Sequence, residues 1–440
     1  MSASPPRWPR FRRFRLPDVT NRVALVSESD PTSTSRATLA KGLILVGVAT
    51  LVGNGAAYLL SMVAARILNQ ADFGALGALL GLLVILATLG ISIAALAARR
   101  VATANSDRAQ VEEQLIRLSI FVGATVIVAG IVVAWPIGII FTIPTAAVAT
   151  GIGSLGFVII GSAAMGIAQG REEHTRFSWA FIANGGSRAL GGIIGVLALA
   201  SVTGVGIGVF VGCAVGAFIS YRLVRRPEWK PFGTKVGAGM GVELGHVVHA
   251  LMVLFTLTNV DILLARFFLT EDQSGQYAVG VLLAKIAFFL PNAIVIVLFP
   301  KMSAEASRRT VYIATGLTAV VGAVITTGAF LLGDLVVRIL GGEQYLSMGS
   351  LIWLFALEGS AFALVQVLLY ARLAAQDRKA VIAVWVALAT LVIVVATWRN
   401  DSVTEIVTTV VAVSLALTVV GLFLDRRGTT NFEIPIESAE

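Results

Sequence analysis

Of the 440 residues, 57% are hydrophobic and only 13% charged, with a mean hydropathy of +0.88 and a formal net charge of +8. A soluble chain of this length would be hard to keep in solution with that composition, which argues against a water-soluble globular protein. The basic residues are scattered over seven separate segments and so do not form a nucleic-acid footprint, while the single cysteine, Cys213, excludes an intrachain disulfide and a paired-cysteine zinc site.

Residues 1–38 form a polar tail in which Arg7, Trp8, Arg10, Phe11, Arg12, Arg13, Phe14 and Arg15 mix basic and aromatic side chains. Two readings stand: a tail whose charge only enforces topology, or one that lies on an anionic inner leaflet. A cleavable signal is not expected, because the basic region is too long and the apolar run behind it has the length of a full span.

A hydrocarbon core of roughly 30 Å takes about 20 apolar helical residues. Runs of that size fall at 42–65, 74–98, 115–135, 146–168, 177–199, 203–221, 240–265, 276–299, 311–332, 347–371, 380–398 and 403–424. They are continuous, without the polar alternation of a membrane strand, and each can satisfy its own backbone in lipid. The expected fold class is an all-α polytopic membrane protein with about 12 transmembrane helices.

Basic loops near a span resist translocation. With the N-terminus inside, 27 of the 33 Lys and Arg fall on the cytoplasmic side and four, Arg66, Arg266, Arg338 and Arg399, on the outer side. Arg188 and Lys285 fall inside predicted helices. An even number of spans with both termini cytoplasmic gives this bias, and a cell membrane is the expected location.

Two segments echo each other at an offset of 200 residues. Ala64-Ala65-Arg66-Ile67-Leu68 leads to Asp72-Phe73-Gly74, and Leu264-Ala265-Arg266-Phe267-Phe268-Leu269 leads to Asp272 and Gly275-Gln276-Tyr277. Gln169-Gly170-Arg171 and Gln376-Asp377-Arg378 repeat at an offset of 207. Matching offsets over a six-plus-six helix count predict duplication. The domains expected are a cytoplasmic tail over 1–38, a six-helix lobe over 39–226, a second over 236–426, and a cytoplasmic tail over 427–440.

Ionisable residues at membrane depth are the candidate functional groups, because a charge near the midplane costs roughly 2.5 to 3.5 kcal/mol and usually marks a polar cavity. Arg188 lies mid-span behind Asn184-Gly185-Gly186-Ser187, where small neighbours admit water or ligand; a structural arginine bonded to helix carbonyls is the alternative. Lys285 and Glu358, in the middle of spans eight and ten, form either a buried ion pair or, if Lys285 faces the cleft, half of a positively charged chamber shared with Arg188. Asp261, beside Asn259, is a candidate for cation or proton coupling, with a surface salt bridge to Arg266 as the other reading. Asn54 and Tyr58 are the polar residues nearest the midplane of span one.

Glu243, His246 and His249 share one face at the inner end of span seven and are read as lining an inner vestibule or meeting headgroups; no metal site is expected there. Gly204, Gly208, Gly212 and Gly216, and then Gly237, Gly241 and Gly245, carry the four-residue period of close helix packing, and Pro291 predicts a kink in span eight. No Gly-Lys dipeptide exists, which excludes a Walker A loop, and no Gly-x-Ser-x-Gly elbow is present. With short outer loops as well, neither an enzyme nor a cofactor is expected.

With twelve spans, two halves and the segments Ala65-Arg66-Ile67-Leu68 through Phe73-Gly74, Asp261-Ile262-Leu263-Leu264-Ala265-Arg266 through Gly275-Gln276-Tyr277, and Phe299-Pro300-Lys301-Met302-Ser303, the chain resembles the polysaccharide transporter family of Wzx-type flippases. That family lies in the multidrug, oligosaccharidyl-lipid and polysaccharide (MOP) exporter superfamily, so the resemblance implies a MATE-like fold of two six-helix lobes around a central cleft. It further implies a lipid-linked glycan as substrate, membrane lipids as partners, and a polysaccharide polymerase and glycosyltransferases acting around it, with or without coupling to an ion gradient. Span one lacks the acidic residue of the multidrug antiporters, and the fourteen spans of the peptidoglycan precursor flippases are not matched. A cation-coupled exporter of drugs or small metabolites remains the rival expectation.

Overall fold

The computed structural model describes residues 33–104, 107–227, 229, 240–289, 308–374 and 378–427. Eight helical stretches among the described residues are long and apolar enough to cross a membrane, and one bent pair makes a ninth. In chain order the first lobe comprises α1 Ser33–Ile67, α2 Gln70–Leu86, α3 Thr88–Thr103, α4 Arg108–Ile140, α5 Thr145–Gly170, α6 His174–Leu199 and α7 Val202–Val224. The second comprises α8 Met240–Leu257, α9 Val260–Phe268, α10 Glu271–Phe289, α11 Arg308–Leu331, α12 Gly333–Leu340, α13 Ile352–Ala374, α14 Arg378–Thr397 and α15 Val403–Arg427. α1, α10 and α14 fill the remaining places in a twelve-span path, giving an all-α polytopic membrane protein of two six-helix lobes.

One of the expected spans is broken and another is interrupted by a single turn residue. In span two α2 and α3 meet at Ala87, where backbone bonds from Ala87 to Leu83 and from Ile91 to Ala87 carry the ladder across, so that Gln70–Thr103 remains one 34-residue span; the Thr88 hydroxyl donates to the Ile85 carbonyl at 2.8 Å and Ser92 to Thr88 at 2.7 Å beside it. In span seven, Thr258 bonds the Leu254 carbonyl and Asn259 the Phe255 carbonyl; α8 and α9 meet there at 44°. The loop after α11 also holds more structure than expected, with the short helix α12 and a 3-10 turn at Glu343–Met348. The Pro291 kink, Gly237 and the repeat segment at Gln376-Asp377 lie outside the described residues.

The glycines of α7 do what their period predicts. α6 and α7 touch along their backbones: a Cβ at Gly208 would overlap the Gly191 carbonyl, and one at Gly204 the Gly195 carbonyl. Among the described residues nothing lies within 4 Å of such an atom at Gly241 or at Gly245, so the close packing expected at the start of span seven is not found there. Without side chains to pack in lipid, such backbone approach is what holds the pair. Gly208→Leu should therefore lower stability by about 1–3 kcal/mol, the usual cost of overpacking, read as a fall in melting temperature in detergent. Gly241→Leu should leave it unchanged.

Because spans alternate in direction, Ser33 and Arg427 share one face, called here the terminal face. Near it the fully buried Glu112 of α4 accepts both arms of Arg171 at 2.7 Å, and Arg226 at 2.9 Å. Arg171 also stands over the Trp229 ring at 5.7 Å. Burial alone would lower the pKa of Arg171, but the hydrogen bond and charge of Glu112, with Glu173, outweigh it and hold the guanidinium above its ordinary value.

The lobes meet through α2 and α10, the second span of each. Gly74 of α2 lies against Ser274 and Gly275, and Gly275 against the Gln70 carbonyl, so tightly that neither has room for a Cβ. The two glycines belong to the repeated segments, each four residues inside its helix rather than at the restart the sequence suggests. The apolar core runs through both lobes, with Phe73, Leu76, Tyr277, Tyr345 and Phe355 among its largest buried members.

Candidate functional site

A cavity of about 230 Å³ lies between the lobes, lined on one side by Asn54, Tyr58 and Ser61 of α1, Ser154 of α5 and Arg188 of α6, and on the other by Lys285 and Phe289 of α10. Asn54, Tyr58 and Ser61 recur every three to four residues and so share a face of α1. Arg188 reaches the cavity because of the residues before it. Asn184 ties α6 to α7 through Ser220 at 2.7 Å, and Gly185 lets α6 pass close to the α1 backbone at Gly53. The next turn then carries the guanidinium into the gap.

A second cavity of about 210 Å³ adjoins the first within the N-terminal lobe, lined among others by Asn54, Ser162, Met165, Phe181, Asn184 and Arg188. Arg188 and Asn54 border both spaces. The amides, hydroxyl, aromatic ring and guanidinium offer hydrogen bonds and a stacking surface together, which is the chemistry a sugar ring uses.

Lys285 also borders two spaces. On its far side is a small cavity of about 80 Å³ with Thr258, Asn259, Phe288 and Glu358. Glu358 and Asp261 are almost fully buried, adjoin one another, and both act electrostatically on Lys285. The Tyr277 hydroxyl donates to Asp261 Oδ2 at 3.1 Å, while Asp261 Oδ1, Glu358 Oε2 and Asn259 Oδ1 have no hydrogen-bond partner among the described residues. Among those residues no carboxylate comes within 4.0 Å of Lys285 or Arg188.

The candidate residues are thus distributed over three connected spaces. Asn54, Tyr58, Arg188 and Lys285 line the central cavity, Asn184 the adjoining groove, and Glu358 the small C-terminal cavity. Asp261 sits behind that last cavity, and the surface salt bridge to Arg266 considered above does not form: the carboxylate bonds Tyr277, whereas Arg266 turns to backbone carbonyls. Glu243 does not stand free at an inner vestibule; it pairs with Arg99 and Arg100. His249 lies beside Trp385, and the His246 side chain falls outside the described residues. Ser61, Ser154 and Tyr277 were not singled out in the sequence. The Asn54-Tyr58-Ser61 spacing and a tyrosine inside an apolar helix are the signals that could have found them.

A sequence profile of the family described as "Polysaccharide biosynthesis protein" matches residues 39–306. No curated protein gives a significant match. Among solved structures, an inward-facing multidrug resistance MATE family transporter of the MOP superfamily shares 12% identity at a TM-score of 0.69, covering 84% of this chain and 93% of that one. The lipid II flippase MurJ in an inward closed conformation gives the same identity and TM-score, with 87% of each chain covered. A MOP superfamily transporter from Pyrococcus furiosus, described by a binding pocket of reverse polarity, shares 14% identity at a TM-score of 0.55, over 88% of this chain and 95% of that one. At these identities the structures share a fold with this chain and no more, and the profile covers more than half its length. The chain belongs to the polysaccharide biosynthesis protein family.

Proposed function

We propose that this protein is a flippase that moves a polyprenyl-diphosphate-linked oligosaccharide or polysaccharide repeat unit from the inner to the outer leaflet of the cell membrane, with both chain ends cytoplasmic. The observation that carries this reading is a pair of cations, Arg188 from one lobe and Lys285 from the other, facing one central cavity. A diphosphate cannot cross hydrocarbon unaided, since a charge at the midplane costs several kcal/mol even on insertion scales. Two cations on opposite walls offset that charge, the groove beside Arg188 gives the first sugars a polar wall, and the polyprenyl tail stays in lipid. Rocking of the lobes would expose the cavity to one side and then the other. On this reading glycosyltransferases supply the substrate and a polymerase or ligase consumes it; no nucleic acid and no cofactor takes part.

A second reading is favoured by one observation: the acid pair Asp261 and Glu358 with unpartnered oxygens beside Lys285. Buried carboxyls of this kind suit uptake and release of a proton or small cation, as in a cation-coupled exporter of drugs or metabolites. Purified protein in sealed vesicles separates the two. Loss of a fluorescent lipid-diphosphate oligosaccharide from one leaflet, with no accumulation of cationic dyes under an imposed proton or sodium gradient, is the expected result. Dye transport without lipid translocation would replace the flippase reading with the exporter.

A further inference from the structure

We infer that Arg66 and Arg266 form a reciprocal latch that holds the two lobes together on the face opposite the chain ends, each arginine capping the end of a helix in the other lobe. Arg66, at the last turn of α1, donates to the Ile339 carbonyl at 2.6 Å and the Arg338 carbonyl at 3.3 Å, the terminal turn of α12 in the second lobe. Arg266, at the last turn of α9, donates to Phe141 at 2.9 Å and Thr142 at 2.8 Å, just past the end of α4 in the first lobe, and to Ala71 at 3.2 Å.

The reciprocity follows the duplication. The two arginines stand at an offset of 200 in the repeated segments, and Arg338 and Ile339 on one side and Phe141 and Thr142 on the other both belong to the stretch after the third span of the opposite lobe, Ala71 being an added acceptor at the start of α2. The last carbonyls of a helix have no partner within it and carry the negative end of its dipole, so a guanidinium is favoured there. At Thr142 the backbone adopts φ 51°, a left-handed turn that ends α4 and leaves its carbonyl for Arg266.

The two halves are reinforced differently. Gln344 donates to Ala65 at 2.6 Å and Leu68 at 3.1 Å, and Gln70 to the Gln344 carbonyl at 2.6 Å. This ties the α1–α2 corner to the turn after α12 from both directions. Arg266 is 3% exposed and its nearest carboxylate, Glu271, stands at 3.6 Å, so backbone carbonyls are its main partners. On the terminal face the lobes are joined by Arg99 and Arg100 with Glu243, an ion pair in which Arg99 is 68% exposed. Exposed pairs of that kind contribute little and are screened by salt; Arg266, whose bonds are buried, is the stronger arm of the latch, while the exposed Arg66 is backed by the Gln344 and Gln70 bonds beside it. The latch therefore biases the equilibrium toward a state closed on this face, and opening there requires both arginines to leave their carbonyls together. This holds whatever substrate the cavity accepts.

Spin labels on Leu199→Cys and Leu332→Cys, which are exposed near this face on opposite lobes, in a Cys213→Ala background, report the separation in lipid vesicles. The expected result is one short distance in the parent protein. R66A or R266A should give a mixture with a longer distance, and the double variant should be predominantly long, at least a tenfold change in the open-to-closed ratio. R66K with R266K, keeping charge but losing the forked geometry, should fall between. A double alanine variant that stays monodisperse with an unchanged distance overturns the latch. If the alanine variants do not fold, the lysine pair decides: a distance distribution identical to the parent's overturns it, and partial opening supports it.

Discussion

Arg188→Ala should reduce translocation of a polyprenyl-diphosphate glycan by about 10- to 100-fold while the protein inserts and purifies normally. A hydrogen bond to a charged group is worth about 1.5–3 kcal/mol, and each 1.4 kcal/mol is about a factor of ten in affinity. The guanidinium borders both the central cavity and the groove beside it, so its loss removes one of the two cations proposed to hold the diphosphate, the one that also faces the space proposed for the sugars. Arg188→Lys should recover part of the rate, since a point charge remains and the bidentate fork does not. Arg188 has no hydrogen-bonded or ionic partner among the described residues, so the alanine change leaves no buried carboxylate exposed. Normal transport at matched abundance would remove Arg188 from the mechanism.

Lys285→Met should lose transport to a similar degree and should also change stability, because Lys285 stands between the cavity and the acids Asp261 and Glu358. Removing the cation leaves two adjoining buried carboxyls facing each other, an arrangement that breaking a buried charge group makes costly. Glu358→Gln added to Lys285→Met should restore the melting temperature by relieving that repulsion, yet should not restore transport. Neighbouring residues of this kind couple, and the double variant measures the coupling directly. If the second substitution rescues both properties, Lys285 serves only to neutralise the acids and the cavity loses one of its two cations.

The span pattern was legible because lipid imposes one demand, an apolar helix of fixed length, and among the described residues eight stretches and one bent pair meet it. Depth was legible too: Arg188, Lys285, Asn54 and Tyr58 stood out as polar side chains at mid-span, and all four line the central cavity. Less visible was anything set by a few side-chain bonds. The bend of span seven falls where Thr258 and Asn259 side chains fold back on their own helix, a choice that composition does not reveal. Asp261 stands near Arg266 in sequence, but five helical positions turn their directions about 140° apart, so the carboxylate meets Tyr277 and the guanidinium crosses to the other lobe. Outer arginines looked like simple charge bookkeeping; their acceptors are backbone carbonyls nearly 300 positions away in the case of Arg66, and no side-chain pattern announces a carbonyl.

The same two repeated arginines and the two mid-span cations describe one machine at two depths. On the readings proposed above, the helix ends set which face is shut and the cavity at the lobe interface sets what passes. At Gly74 and Gly275, in the first turns of α2 and α10, the backbones of the two lobes are in direct contact.

The most direct test is a structure of the protein in a lipid disc with a polyprenyl-diphosphate disaccharide bound. Phosphate density between the Arg188 guanidinium and the Lys285 ammonium, with sugar density running toward Phe181 and Asn184, is the predicted result. Phosphates held elsewhere, with Lys285 turned fully onto Glu358 and the central cavity filled by apolar side chains, would contradict it.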